Sequence, residues 1–154
     1  MSVTFISRSK PADLPHPWVE LGSAQADDVL GRAGVVVVAT SAGEPVVVDR
    51  QLRPDATVLA VGAHTVDTGE LHEDVLRGAQ VIVEDVGAAQ REAGDVAIAV
   101  EKGALAWDDV VTMAEVMRAE VALDPARQVV FKTAGMPWED LAVAKAVGAE
   151  GVAG

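Results

Sequence analysis

The chain has 154 residues, half of them hydrophobic, and carries 24 acidic against 12 basic side chains for a formal charge of −12. That balance excludes the basic face on which nucleic acid and anionic membranes depend. Cysteine and tyrosine are both absent, which excludes disulfides, thiolate metal sites, a cysteine nucleophile and a Tyr-Lys proton relay.

The length suits one domain able to bury about two-thirds of its unfolded surface. The opening residues, Met1 to Arg8, show no cationic start with a long apolar core behind it, so no signal peptide is visible. No apolar run approaches the roughly twenty residues of a membrane span, and a soluble, cytoplasmic protein is expected.

Along the chain, short valine-rich runs alternate with helix-sized intervals. The first strand is expected at Val3–Ile6, and Lys10–Trp18, with Pro11, Pro15 and Pro17, must be extended or turned. Ser23 can cap a helix over Ala24–Arg32, followed by a strand at Val35–Ala39. The turn Leu52–Ala56, built on Pro54 and Asp55, leads into a strand at Thr57–Val61. A helix at Glu70–Arg77, a strand at Gln80–Val83 and helices at Val86–Ala93 and Trp107–Glu120 come next. Asp124-Pro125 turns the chain into a strand at Gln128–Lys132, and a last helix runs from Trp138 to Val147. Trp107 and Trp138 read as packing residues, and neither Gly94-Asp95 nor Lys102-Gly103-Ala104 carries chemistry by itself.

Continuous valine runs are what strands buried on both faces require. Their alternation with helices predicts an α/β fold, a mostly parallel sheet with helices on both faces. No linker divides the chain, so residues 1–147 are read as one domain and 148–154 as a flexible tail. A Gly-x-Ser-x-Gly elbow, a Gly-x-x-x-x-Gly-Lys loop and a His-Glu-x-x-His helix are all missing. So is the Gly-x-Gly-x-x-Gly turn that opens a dinucleotide-binding sheet.

Open parallel sheets bind ligands at the carboxyl ends of their strands, which directs attention to the segments that follow each valine run. Ser7-Arg8-Ser9 ends a strand with an arginine and no acid, the pattern that favours a ribose 2′-phosphate over a 2′-hydroxyl if a nucleotide binds; from the local residues alone a solvated arginine after a strand is the simpler reading. Ala39-Thr40-Ser41 places small side chains where a ring or ribose could approach the backbone, or else makes an ordinary turn after a hydrophobic strand; Val61-Gly62-Ala63 ends the next strand. His64 stands just beyond, suited to proton transfer near neutral pH, with Asp67 three residues on to orient it. A hydrogen-bonded surface histidine is the plain alternative. The spacing of His64, Asp67, Glu70 and His72 matches no metal-ligand pattern, and no metal is expected.

Together, Val36–Pro45, Leu52–Leu71, Val83–Asp95, Gly103–Met117 and Phe131–Lys145 resemble the ornithine cyclodeaminase/mu-crystallin family in one colinear order. The set is specific: Ala-Val-Gly-Ala-His-Thr-x-Asp-Thr-x-Glu-Leu is followed by Phe-Lys-Thr-x-Gly-Met-x-x-Glu-Asp. The resemblance implies a Rossmann-like domain, an NADP or NAD cofactor, and reductive or deaminating chemistry on a small amino or imino acid. By position it implies that Ser7, Arg8 and Ser9 meet the adenosine ribose, that Ala39–Ser41 and Val61–Ala63 lie beside the cofactor, and that Thr133 lies near the nicotinamide. In the cyclodeaminase branch a catalytic aspartate stands where this chain has His64.

The resemblance also shows what these residues lack: the first strand, the glycine turn, the helix after it and the substrate domain. In strand order 3-2-1-4-5-6 the first strand is central. Either Val3–Ile6 pairs directly with Val35–Ala39, or another chain fills the gap. The chain therefore reads as a partial Rossmann-like domain, inactive alone, with weak or partner-dependent cofactor binding and with homo-oligomers or a hetero-complex expected. A half-enzyme completed by a separately encoded chain, and a non-catalytic interaction protein using an exposed sheet edge, are the alternatives.

Overall fold

The computed structural model describes residues 2–151. Two parallel sheets are present. The smaller pairs β1 (Phe5–Ser7) with β2 (Trp18–Glu20). The larger contains β3 (Val35–Val38), β4 (Thr57–Ala60), β5 (Gln80–Val83), β6 (Val111–Thr112) and β7 (Val129–Lys132), in the order β3-β4-β7-β5-β6. The helices are α1 (Ala24–Arg32), α2 (Glu73–Leu76), α3 (Val86–Glu92), α4 (Gly94–Glu101), α5 (Met113–Met117) and α6 (Pro137–Gly151).

The register aligns Val38, Ala60, Lys132 and Val83 in one row across the sheet, and all four are buried. Successive strand residues face opposite sides, so the neighbouring row Val37, Leu59, Phe131 and Ile82 reports on the other face. Ile82 is 7% exposed and Val37 is 61% exposed. The second face is thus covered at β5 and opens progressively toward β3, where Val35 is also 58% exposed.

At α1 the expected cap is present: the Ser23 hydroxyl accepts from the Ala26 amide at 3.1 Å, and the helix buries Ala26 and Leu30. Elsewhere the structure corrects the predicted elements. β1 does not pair with β3. Its partner is β2, a strand hidden in the sequence by the three prolines before it, whose Trp18 indole donates to the Ser7 hydroxyl at 2.9 Å. Only Glu73–Leu76 of the expected Glu70–Arg77 helix is helical, because the Glu70 carbonyl accepts from Val46 and Val47 and the His72 amide donates to Val47.

The expected Trp107–Glu120 helix breaks into a 3-10 turn at Trp107–Asp109, β6 and α5. The β-branched pair Val110-Val111 favours extension, and Val111 and Thr112 pair with Ile82 and Val83. Thr112 then caps α5 reciprocally: its hydroxyl accepts from the Glu115 amide at 3.2 Å while the Glu115 carboxylate accepts from the Thr112 amide at 2.7 Å. Helix α4, starting at Gly94, is an element the valine pattern did not indicate. Trp107 packs against the core as expected, whereas Trp138 is half exposed. Helix α6 continues past residue 147 to Gly151, and residues 152–154 of the expected tail lie outside the described residues. No described helix is long and apolar enough to cross a membrane.

Candidate functional site

All strands of the larger sheet are parallel, so their carboxyl ends share one edge. On that edge lie residues 39–41 after β3, 61–63 after β4, 133–135 after β7, and Glu84 after β5. Three of the predicted cofactor segments are therefore brought side by side.

Charged side chains lace this edge together in the order of the strands. The two oxygens of Glu70 divide between neighbours: Oε1 accepts from the Thr40 amide and Oε2 from the Gly62 amide, each at 2.5 Å. One carboxylate thus joins the end of β3 to the end of β4. The Lys132 ammonium, in the buried row, donates to the Ala60 carbonyl at 3.3 Å and the Thr133 carbonyl at 2.9 Å, joining β4 to β7. Glu84 accepts from the Thr133 hydroxyl, from the Ala134 amide at 3.0 Å and from the Gly135 amide at 3.3 Å, joining β5 to the loop after β7. Strand-end amides that would otherwise face water are satisfied by carboxylates, in charge-assisted bonds about twice as strong as neutral ones.

Behind the edge lies Asp95 in the first turn of α4. Its Oδ1 accepts from the Glu70 and Leu71 amides at 2.7 and 2.8 Å, which sets the position from which Glu70 reaches the two loops. Its Oδ2 has no hydrogen-bond partner among the described residues and stands 3.7 Å from the Lys132 ammonium. Both side chains of this pair are wholly buried. Burial pushes the Asp95 carboxyl above the ordinary aspartate range, partly offset by the two amides and by Lys132. Burial likewise lowers the Lys132 ammonium, opposed by the nearby Asp95, Glu70 and Glu84 carboxylates.

Gly62 and Gly94 are required by close approach. A Cβ on Gly62 would lie 2.0 Å from the Thr40 carbonyl and 2.4 Å from Glu70 Oε1. On Gly94 it would meet the Thr68 carbonyl at 1.9 Å and the Thr65 carbonyl at 2.3 Å.

The remaining predicted residues are placed differently. Ser7 ends β1 in the smaller sheet, where its hydroxyl donates to the Ser9 carbonyl at 2.7 Å, and Arg8 and Ser9 are exposed. Among the described residues no hydrogen bond links this segment to the larger sheet's edge, although Ile6 packs against the common core. His64 is exposed and has no hydrogen-bond partner among the described residues. The Thr65 side chain and its own backbone amide hold the Asp67 carboxyl below the ordinary aspartate range, and among the described residues no hydrogen bond or ion pair joins Asp67 to His64. Among the described residues no group of three His, Asp or Glu side chains is gathered to hold a metal.

Sequence reasoning assigned Glu70 to a helix, gave Asp95 no role and did not single out Lys132. One signal was available: Gly69-Glu70 and Gly94-Asp95 each set an acid beside a glycine, where close backbone approach brings amides within reach.

An open parallel sheet whose strand-end loops are laced together along one edge defines a Rossmann-like α/β domain. The chain belongs to the ornithine cyclodeaminase/mu-crystallin family, whose pattern it matches over residues 19–153. It is 34% identical to the ketimine reductase mu-crystallin of Mus musculus across 84% of this chain and 39% of that protein. A probable ornithine cyclodeaminase from Bordetella pertussis superposes with a TM-score of 0.76 at 28% identity, covering 92% of this chain and 48% of that one. An archaeal alanine dehydrogenase, solved as a dimer with bound NAD, gives a TM-score of 0.72 at 26% identity over 85% of this chain and 40% of its own. The chain spans well under half the length of the curated relatives it matches.

Proposed function

We propose that this chain forms one wall of a nicotinamide-nucleotide cleft, in a protein that reduces or deaminates a small imino or amino acid. The observation that carries the reading is the common edge formed by residues 39–41, 61–63 and 133–135. It presents backbone and small side chains at the carboxyl ends of parallel strands, where such ligands bind. The NAD-bound relative and the ketimine reductase support the cofactor and substrate classes. The fit is partial. Small residues suit the nicotinamide end, but these residues contain no Gly-x-Gly-x-x-Gly turn whose helix N-terminus would hold a diphosphate. Ser7-Arg8-Ser9 favours NADP over NAD, with Arg8 exposed and free to meet a 2′-phosphate.

Bound nicotinamide would supply the hydride. The chain's part is to position the ring against the edge and, through His64, to give a proton to the reduced nitrogen. Calorimetric titration of this chain with NADPH and NADH is expected to give dissociation constants well above about 1 μM, that is, less than about 8 kcal/mol of binding free energy. NADPH should bind more tightly than NADH. His64→Ala should leave both affinities unchanged, because a proton donor acts on the substrate. Micromolar binding by the chain alone would overturn the idea of an incomplete wall, and no binding at millimolar nucleotide would overturn the cleft itself.

A second reading, completion by another polypeptide, has its own support. Both β1 and β3 end their sheets, and β3 leaves Val35 and Val37 exposed. An unpaired edge strand invites strand addition, and an exposed apolar face invites cover by a partner. Association into a homo-oligomer or with a partner is therefore expected, and light scattering on the purified chain tests the first. A stable monomer at high concentration removes self-association and leaves only a separate partner.

A further inference from the structure

The lacing of the sheet edge has a consequence beyond the class of ligand, although the inference rests on the proposed nucleotide cleft. We propose that Glu70 is a positioning residue of that cleft, fixing the loop after β3 and the loop after β4 as one rigid platform on which the nucleotide lies.

Four observations converge on it. Glu70 is fully buried, and a carboxylate removed from water is held there only when its oxygens are satisfied. Its two oxygens are satisfied by the amides of Thr40 and Gly62, which belong to different loops. Its own backbone is anchored at both groups: the amide donates to Asp95 and the carbonyl accepts from Val46 and Val47. Finally, Gly62 has no side chain to separate Thr40 from Glu70, and a Cβ there would displace both. Segments 30 and 8 residues from Glu70 in sequence are thereby locked to one another by one side chain. Ligand affinity improves when loops are ordered before binding, because the ordering entropy is already spent.

Glutamine keeps the size of Glu70 but presents one acceptor and one donor. It can therefore satisfy only one of the two amides, and its NH2 group opposes the other. Hydrogen exchange read at single amides is the test. In the unaltered chain, Thr40 is exposed at the loop surface, yet its amide should exchange at least about tenfold more slowly than those of Ser41 and Gly43. In Glu70→Gln, exchange at Thr40 or Gly62 should rise at least about tenfold while Leu59 and Val130 change little. A general loss of stability would raise all four together. NADPH affinity should fall in parallel, and the aspartate variant, with the charge kept but the reach shortened, should be intermediate.

Two results overturn the proposal: a Thr40 amide in the unaltered chain that exchanges as fast as its neighbours, or a glutamine variant with unchanged NADPH affinity despite faster local exchange. The first needs no variant and so does not depend on one folding. If the unaltered chain binds no NADPH while Thr40 is protected, the proposed cleft fails and the platform has no nucleotide to position. If NADPH binds and Thr40 is unprotected, the cleft stands and the role of Glu70 falls.

Discussion

Lys132→Met is expected to destabilise the chain by about 3–5 kcal/mol, the range for removing one partner of a buried ion pair. Methionine fills nearly the same space, so the loss comes from charge and hydrogen bonding. Asp95 keeps its two amides but loses its counter-ion, with Oδ2 already lacking any other partner among the described residues. The Thr133 carbonyl loses a donor at the same time, and the Ala60 carbonyl keeps only the Thr133 amide, which loosens the end of β4 against the end of β7. Native domains are stable by only about 5–15 kcal/mol, and a protein of this length loses roughly 2–4 °C of Tm per kcal/mol. A fall of about 10 °C is therefore expected by calorimetry, with a matching shift of the urea midpoint. Adding Asp95→Asn should return part of the loss, since Oδ1 can still accept from Glu70 and Leu71 and no bare carboxylate remains. A cost below about 1 kcal/mol for Lys132→Met would mean that water reaches the pair and that the lacing contributes little.

Gly94→Ala is expected to be destabilising by about 3 kcal/mol, the upper end of overpacking costs, even though alanine is the better helix former by about 1 kcal/mol. The sign is decided by what the new methyl meets. Both atoms within 2.5 Å of its position are backbone carbonyls, of Thr68 and Thr65, and neither can rotate away. Segment 65–68 must move as a whole, and it leads directly into Gly69 and Glu70. The substitution should therefore reach the site as well: nucleotide affinity should fall together with stability, because Gly94 presses on the connection after β4 that carries residues 61–63 and Glu70. Denaturant titration paired with NADPH titration separates the two effects. A neutral or stabilising Gly94→Ala would show that α4 does not press against the segment that carries Glu70.

Much of the sheet was legible in the residues. Runs such as Val35–Val38 and Val81–Val83 are β-branched throughout and favour extension, although burial on both faces holds only for the second, since Val35 and Val37 are exposed. Ser23 announced the start of α1 because a hydroxyl at that position has one obvious amide to satisfy. The motif Ala60–His64 and the stretch Phe131–Gly135 pointed to the carboxyl edge because the rule that ligands lie there is topological and needs only the strand assignments. These are local patterns, read within a few residues.

What only the tertiary structure decided were the partners of charges. Glu70, Asp95 and Lys132 are buried, and each gains its place from residues far along the chain: Glu70 from Thr40, Asp95 from Glu70, and Lys132 from Ala60. In a sequence a charged side chain reads as solvated, because burying it is costly unless a partner is already waiting. That partner exists only after the strands have aligned. The same holds for Val111-Thr112, which extends because Ile82-Val83 offers it an edge, and for β1, which pairs with Trp18–Glu20 and leaves β3 open. Local chemistry chose the elements. Long-range pairing chose which edges close, which stay open and where the charges could be hidden.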